Sequence, residues 1–192
     1  LNETPHYFIA INLSDDLKNK LFSNQMMIKQ QIGKETYEKW TNQTDFHITL
    51  AFLGALTDKD LITAKNCLNK VKDTKSFHVQ LATLAGFGQR QSPRVLMHQV
   101  TLNEELVTLQ QQLKKVLQAA QFNVEKRSFN PHVTYAKKCK YGYQLECLSW
   151  KIKEDQIPFI DQIVETVTDI SLFRIYPGDT PQYKAVMTIF LK

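Results

Sequence analysis

Two short segments of the chain carry side chains suited to the same chemistry. One is His47-Ile48-Thr49, within Phe46-His-Ile-Thr-Leu-Ala-Phe-Leu-Gly54. The other is His132-Val133-Thr134, within Ser128-Phe-Asn-Pro-His-Val-Thr-Tyr-Ala-Lys137. Both are flanked by β-branched, aromatic and aliphatic residues, so each reads as a strand. Side chains alternate faces along a strand, which puts His47 with Thr49 on one face and His132 with Thr134 on one face. Ile48 and Val133 then point to the opposite, apolar side. Brought together, the two strands would present two imidazoles and two hydroxyls around a small space. That set suits a phosphate. Two histidines can serve as general base and general acid on opposite sides of a phosphorus centre, and two threonine hydroxyls can donate to its non-bridging oxygens. The opening of a cyclic phosphodiester needs no further proton carrier.

A lone His-x-Thr on a strand is common and usually structural. A pair in matching apolar settings, 85 residues apart (132 minus 47), is harder to dismiss. The two motifs, their separation and the Phe-x-Pro lead into the second resemble the 2H phosphoesterase superfamily. Within it, the nearest resemblance is to the RNA 2′,3′-cyclic phosphodiesterases, also called 2′-5′ RNA ligases. It extends over nearly the whole chain, including Tyr7-Phe-Ile-Ala-Ile-Asn12, Ser92-Pro-Arg-Val-Leu96 and the closing hairpin. The resemblance implies one domain over 1–192, made of two lobes related by a rough twofold, each an antiparallel sheet backed by helices, with His47 and His132 meeting in a central cleft. It implies hydrolysis of RNA 2′,3′-cyclic phosphate ends in which O3′ leaves and a 2′-phosphate remains, and a reverse joining of RNA halves through a 2′-5′ bond. It also marks Lys137, where the family usually has Arg. Lysine keeps the charge but loses the bidentate fork.

Three other readings compete. The same scaffold could open a cyclic phosphate on a small nucleotide or act on 2′-5′ oligoadenylate. A module that binds RNA ends without turnover is a second, against which the intact motif pair argues. A metal site built on His47 and His132 is a third, but two histidines without nearby carboxylate or cysteine ligands make a poor set. No metal or other cofactor is therefore expected.

The elements that must position these motifs are largely legible. Tyr7–Leu13 reads as a buried strand. Ser14, followed by Asp15 and Asp16, opens a helix whose stripe is Leu17, Leu21, Ile28 and Ile32, with Gly33 as its stop. Phe46–Leu53 is the first motif strand, ended by Gly54. Thr57 caps a second helix with Leu61, Ala64, Leu68 and Val71 on its buried side. Phe77–Leu84 reads as a strand, Gly86-Phe-Gly88 as a loop, and Arg94–Val100 as another strand. Asn103 opens a third helix with Leu106, Leu109, Leu113, Val116, Leu117 and Ala120 at helical period. Pro131 suits the start of the second motif strand. Residues 139–163 give little, with a loop at Cys139–Tyr143 and either strand or helix at Leu145–Lys153. Val164–Tyr176 and Tyr183–Leu191, separated by Pro177-Gly-Asp-Thr-Pro181, read as a hairpin. Mixed helices and hairpins argue for α+β rather than a doubly wound sheet. Trp40 and Arg94 are secondary candidates for the cleft rim, each more simply read as packing or surface.

Composition narrows the class. With 43% hydrophobic and 22% charged residues in 192, the chain has material for one substantial core and no run long enough to span a membrane. The start, Leu-Asn-Glu-Thr-Pro-His, lacks both a signal-peptide pattern and an initiator Met. Three cysteines, Cys67, Cys139 and Cys147, have no metal-like spacing and suit a reducing compartment, so a cytoplasmic location is expected. A monomer without a membrane partner is expected as well. The net charge of +5 is compatible with an anionic partner such as RNA and equally with ordinary solubility.

Overall fold

The computed structural model describes residues 4–89, 92–140 and 163–192. Within these, two antiparallel sheets and three helices make an α+β fold. The strands are β1 (His6–Asn12), β2 (Tyr37–Trp40), β3 (His47–Ala55), β4 (Phe77–Gln89), β5 (Ser92–Val100), β6 (His132–Cys139), β7 (Val164–Val167), β8 (Asp169–Ile175) and β9 (Tyr183–Phe190). The helices are α1 (Asp15–Ile32), α2 (Asp58–Asn69) and α3 (Glu104–Ala119). One sheet has the order β3-β1-β8-β9 and the other β2-β6-β5-β4-β7. The first motif strand is thus an edge of its sheet, while the second has β2 outside it. The two motif strands touch.

Helix ends form where the sequence provides caps. The Ser14 hydroxyl accepts from Leu17 N–H at 3.2 Å and starts α1. Thr57 and Asp60 make a reciprocal capping box at α2. Asn103 accepts from Leu106 N–H at 2.9 Å and starts α3. Gly33, at φ 84°, ends α1 in the left-handed region that glycine enters without steric cost. Each helix buries most of the stripe expected of it, with Leu61, Val116 and Ala120 only partly buried and Val71 buried just beyond α2. The buried side chains join Ile9, Ile11, Ile48, Val133 and Leu172 in one hydrophobic core.

Three expectations need correction. Gly54 does not end β3, which continues to Ala55. Gly86-Phe87-Gly88 is not a loop: it lies within β4, paired to β5 with Gly86 opposite Leu96 and Phe87 opposite Val95. The glycine at 86 answers a close approach, since a Cβ there would stand 2.3 Å from Pro93 Cβ. Finally, Val164–Tyr176 is not one arm of a hairpin. The chain changes sheets at Thr168, so that β7 pairs with β4 while β8 pairs with β1 and β9. The expected closing hairpin is β8–β9. The alternatives for Leu145–Lys153 lie outside the described residues. Among the described residues, no helix is long and apolar enough to cross a membrane.

Candidate active site

Each motif strand begins at its histidine and presents the same local arrangement. His47 Nδ1 lies 2.7 Å from the Asp45 carbonyl and His132 Nδ1 lies 2.8 Å from the Asn130 carbonyl. A carbonyl only accepts, so in both rings Nδ1 carries the proton and donates. Nε2 is left free to take or, once protonated, to give a proton. In the first motif Nε2 is 3.0 Å from Thr49 Oγ1. With His47 neutral, the hydroxyl donates to the ring. With His47 protonated, the ring donates and the hydroxyl is released toward another acceptor.

Both strands also bulge at the same place. Ala10 pairs with Thr49 but Ile9 with Ala51, leaving Leu50 unmatched. Met97 pairs with Thr134 but Leu96 with Ala136, leaving Tyr135 unmatched. The extra residue re-phases the alternation. Leu50 and Ala51 are both buried, as are Tyr135 and Ala136, and the next residue turns back to the half-exposed side with the histidine and threonine. In the second strand that residue is Lys137. Simple alternation would have put Lys137 opposite His132; the bulge brings it round. In the first strand the same place is held by Phe52, 57% exposed, which sequence reasoning did not single out. A longer alignment of the two segments, His-Ile-Thr-Leu-Ala-Phe over His-Val-Thr-Tyr-Ala-Lys, would have exposed both the shared bulge and Phe52.

The second bulge is held from α1. Gln25 of α1 is buried, and its amide donates to the Tyr135 and Thr41 carbonyls, each at 2.9 Å. Thr41 N–H also donates to the Tyr135 carbonyl at 2.9 Å.

The surroundings of the two rings differ. His47 is packed by Phe8, at 4.8 Å between ring centres, and by Tyr183 edge-on at 5.2 Å. Burial, with further contributions from the positive charges of Lys137, His132 and Lys18, lowers its pKa to about 4, against the opposing bond to Asp45. His132 meets Phe87 edge-on at 5.0 Å. Burial lowers its pKa too, aided by Lys137 and opposed by the Asn130 bond. Lys137 is itself lowered by burial and then by the charge of Lys39. The two histidines and Lys137 therefore form one electrostatic group across the contact of β3 with β6.

Asp45 is a second residue that sequence reasoning missed. Besides its carbonyl bond to His47, its buried carboxylate accepts from Gln182 N–H and Tyr183 N–H, both at 3.1 Å. It pins the start of β9, and with it Tyr183, against the first histidine. Trp40 donates its indole N–H to the Lys34 carbonyl at 2.8 Å at the sheet edge, and Arg94 is exposed.

Residues 5–173 match the family described as the AKAP7 2′5′ RNA ligase-like domain. The chain is 28% identical over 190 residues to a protein of Bacillus subtilis (strain 168) named RNA 2′,3′-cyclic phosphodiesterase, covering 95% of this chain and 94% of that one. A protein of the same name from Thermotoga maritima is 25% identical over 170 residues, covering 88% and 84%. Among solved structures, TT0787 of Thermus thermophilus superposes with a TM-score of 0.74 at 18% identity, covering 97% of each chain. LigT of E. coli complexed with 3′-AMP gives 0.71 at 15%, covering 98% of this chain and 99% of that one. At such identities these likenesses establish the fold. The match over most of the chain goes further: the protein belongs to the AKAP7 2′5′ RNA ligase-like family, in agreement with the 2H phosphoesterase resemblance of its paired motifs.

Proposed function

We propose that the protein hydrolyses RNA 2′,3′-cyclic phosphate ends without a metal, using His47 and His132 as one acid–base pair. One Nε2 takes a proton from water as its oxygen bonds to phosphorus. The P–O3′ bond breaks, the other ring protonates O3′, and a 2′-phosphate remains. A 5′-hydroxyl in place of water would yield a 2′-5′ linkage. Thr49 and Thr134 donate to the phosphoryl oxygens, and Lys137 supplies positive charge to both halves of the site.

The observation that carries this reading is the duplicated histidine geometry. Each Nδ1–H is committed to the carbonyl two residues upstream, so each Nε2 is the ring's working atom, on strands that touch. The names of the relatives from Bacillus subtilis and Thermotoga maritima support the RNA 2′,3′-cyclic substrate. Phe52 offers a flat apolar surface on the same side of β3, where a nucleobase could stack.

The test is incubation with RNA ending in a 2′,3′-cyclic phosphate in excess chelator, followed by identification of the product end. The expected product is a 2′-phosphate. A 3′-phosphate, or turnover that appears only on adding a divalent metal, would contradict the mechanism.

A further inference from the structure

Among the described residues strand β2 has no counterpart outside β3, and it sets Lys39 directly opposite Lys137 in the antiparallel register with β6. Directly opposed residues share a face and stand about 5 Å apart. Like charges in that position repel. The usual remedy is a carboxylate between or beside them, and none is present: among the described residues neither lysine has a carboxylate within ion-pair distance. Glu38, the nearest acid in sequence, is 3.6 Å from Lys138 instead. Lysine on an edge strand can serve simply to discourage edge-to-edge pairing. That accounts for an exposed lysine on β2, but not for its standing opposite another lysine on the face that carries the reactive motif.

An unneutralised pair of this kind is matched by two anionic groups joined at short range. If Lys137 faces the reacting phosphate, Lys39 lies one step further from the histidines, outward along the sheet. Resting on the function proposed above, we infer that Lys39 holds the phosphodiester immediately 5′ of the reacting nucleotide, so that the substrate class is an RNA strand of two or more nucleotides rather than a cyclic mononucleotide. Nothing else in the second lobe has to move: the cation stands on a strand whose neighbour carries Lys137. Among the described residues no strand lies outside β3 in its sheet, so only the sheet of β6 offers such a contact there.

Two measurements test this on the intact protein. The first is binding of a short RNA ending in a 2′-phosphate, compared with a mononucleoside 2′-phosphate, across a range of salt. The second is kcat/KM on the corresponding cyclic-phosphate RNA and cyclic mononucleotide. Lys39→Gln should weaken RNA binding several-fold and reduce the salt slope by about 0.7, the value for one phosphate contact on a single strand. It should raise KM for the RNA with kcat little changed, and leave the mononucleotide constants untouched. Lys39→Arg should restore RNA binding, whereas Lys115→Gln on α3, the same charge change elsewhere, should not reproduce the loss. Equal losses for RNA and mononucleotide would show a local structural effect and overturn the inference. So would an unchanged salt slope. Wild-type protein that binds RNA through Lys39 yet turns over neither substrate would count against the proposed reaction and in favour of the subsite.

Discussion

The two motif strands are copies in backbone and unlike in surroundings. Both begin at the histidine, fix Nδ1 on the carbonyl two residues upstream, bulge at the residue after the threonine, and bury the alanine that follows. The residue that the bulge turns back is an exposed Phe52 in the first lobe and a half-buried Lys137 in the second. The first ring sits among Phe8, Phe173 and Tyr183; the second has Phe87 and shares its side of the sheet with lysines 137 and 39. One scaffold thus provides an apolar half, able to take a base and keep an imidazole neutral, and a cationic half, able to take phosphate. In the proposed reaction the duplication supplies the acid–base pair, and the divergence after the bulge gives the substrate a direction.

If both copies work in one reaction, removing either histidine should be severe. His47→Ala and His132→Ala should each lower kcat/KM on cyclic-phosphate RNA by roughly 10²–10⁴-fold, the range for a general acid or base. Retention of near-wild-type activity in one variant would reduce the comparison to a structural repeat. Next in size are the hydroxyls. Thr49→Val and Thr134→Val keep the shape and lose the donor, and each should cost about 1–3 kcal/mol of transition-state binding, or about 5–150-fold. Thr49→Val should also alter the pH profile, because the Thr49 hydroxyl stands 3.0 Å from Nε2 of its own histidine.

How much of this was readable beforehand follows from what alternation alone can specify. The face shared by histidine and threonine depends on a period of two and was plain in both segments. The position of Lys137 was not, because a bulge is set by pairing with β5, a relation between distant residues. Phe87 was hidden by its flanking glycines, which resemble a loop until Pro93 is seen to require Gly86. The break at Thr168 was hidden because a change of sheet needs no turn residue. Asp45 acquires its role only when the segment before β9 comes to rest on it. The helix caps and most positions of the helix stripes, set by local pattern, matched their expectations.

The divergence itself can be probed through charge. Lys137 lowers the pKa of both rings, after the larger effect of burial. Both values therefore lie below the ordinary imidazole value of about 6.5, and the kcat/KM profile of the free protein should peak on its acid side. Removing a neighbouring cation favours the imidazolium, so Lys137→Ala should move the profile to higher pH while raising KM. Lys137→Arg should leave it in place. A shift toward acid, or none, would separate Lys137 from the histidines. A smaller effect is expected behind the strand. Gln25→Met keeps the volume and removes the donor to the Tyr135 and Thr41 carbonyls, which should cost about 2 kcal/mol in urea unfolding for two bonds. It should also raise KM a few-fold in the same sense as Lys137→Ala. A stability loss with unchanged KM would mean that the bulge keeps its shape without this amide.

Whether the two histidines act as a unit is decided by the double variant. Groups that act in a single transition state are not additive. Acting together, they should leave kcat/KM for His47→Ala/His132→Ala little worse than for the poorer single variant, with all three folded and still binding RNA. Losses that multiply, so that the double variant shows the product of the two single defects, would mean that each histidine works alone.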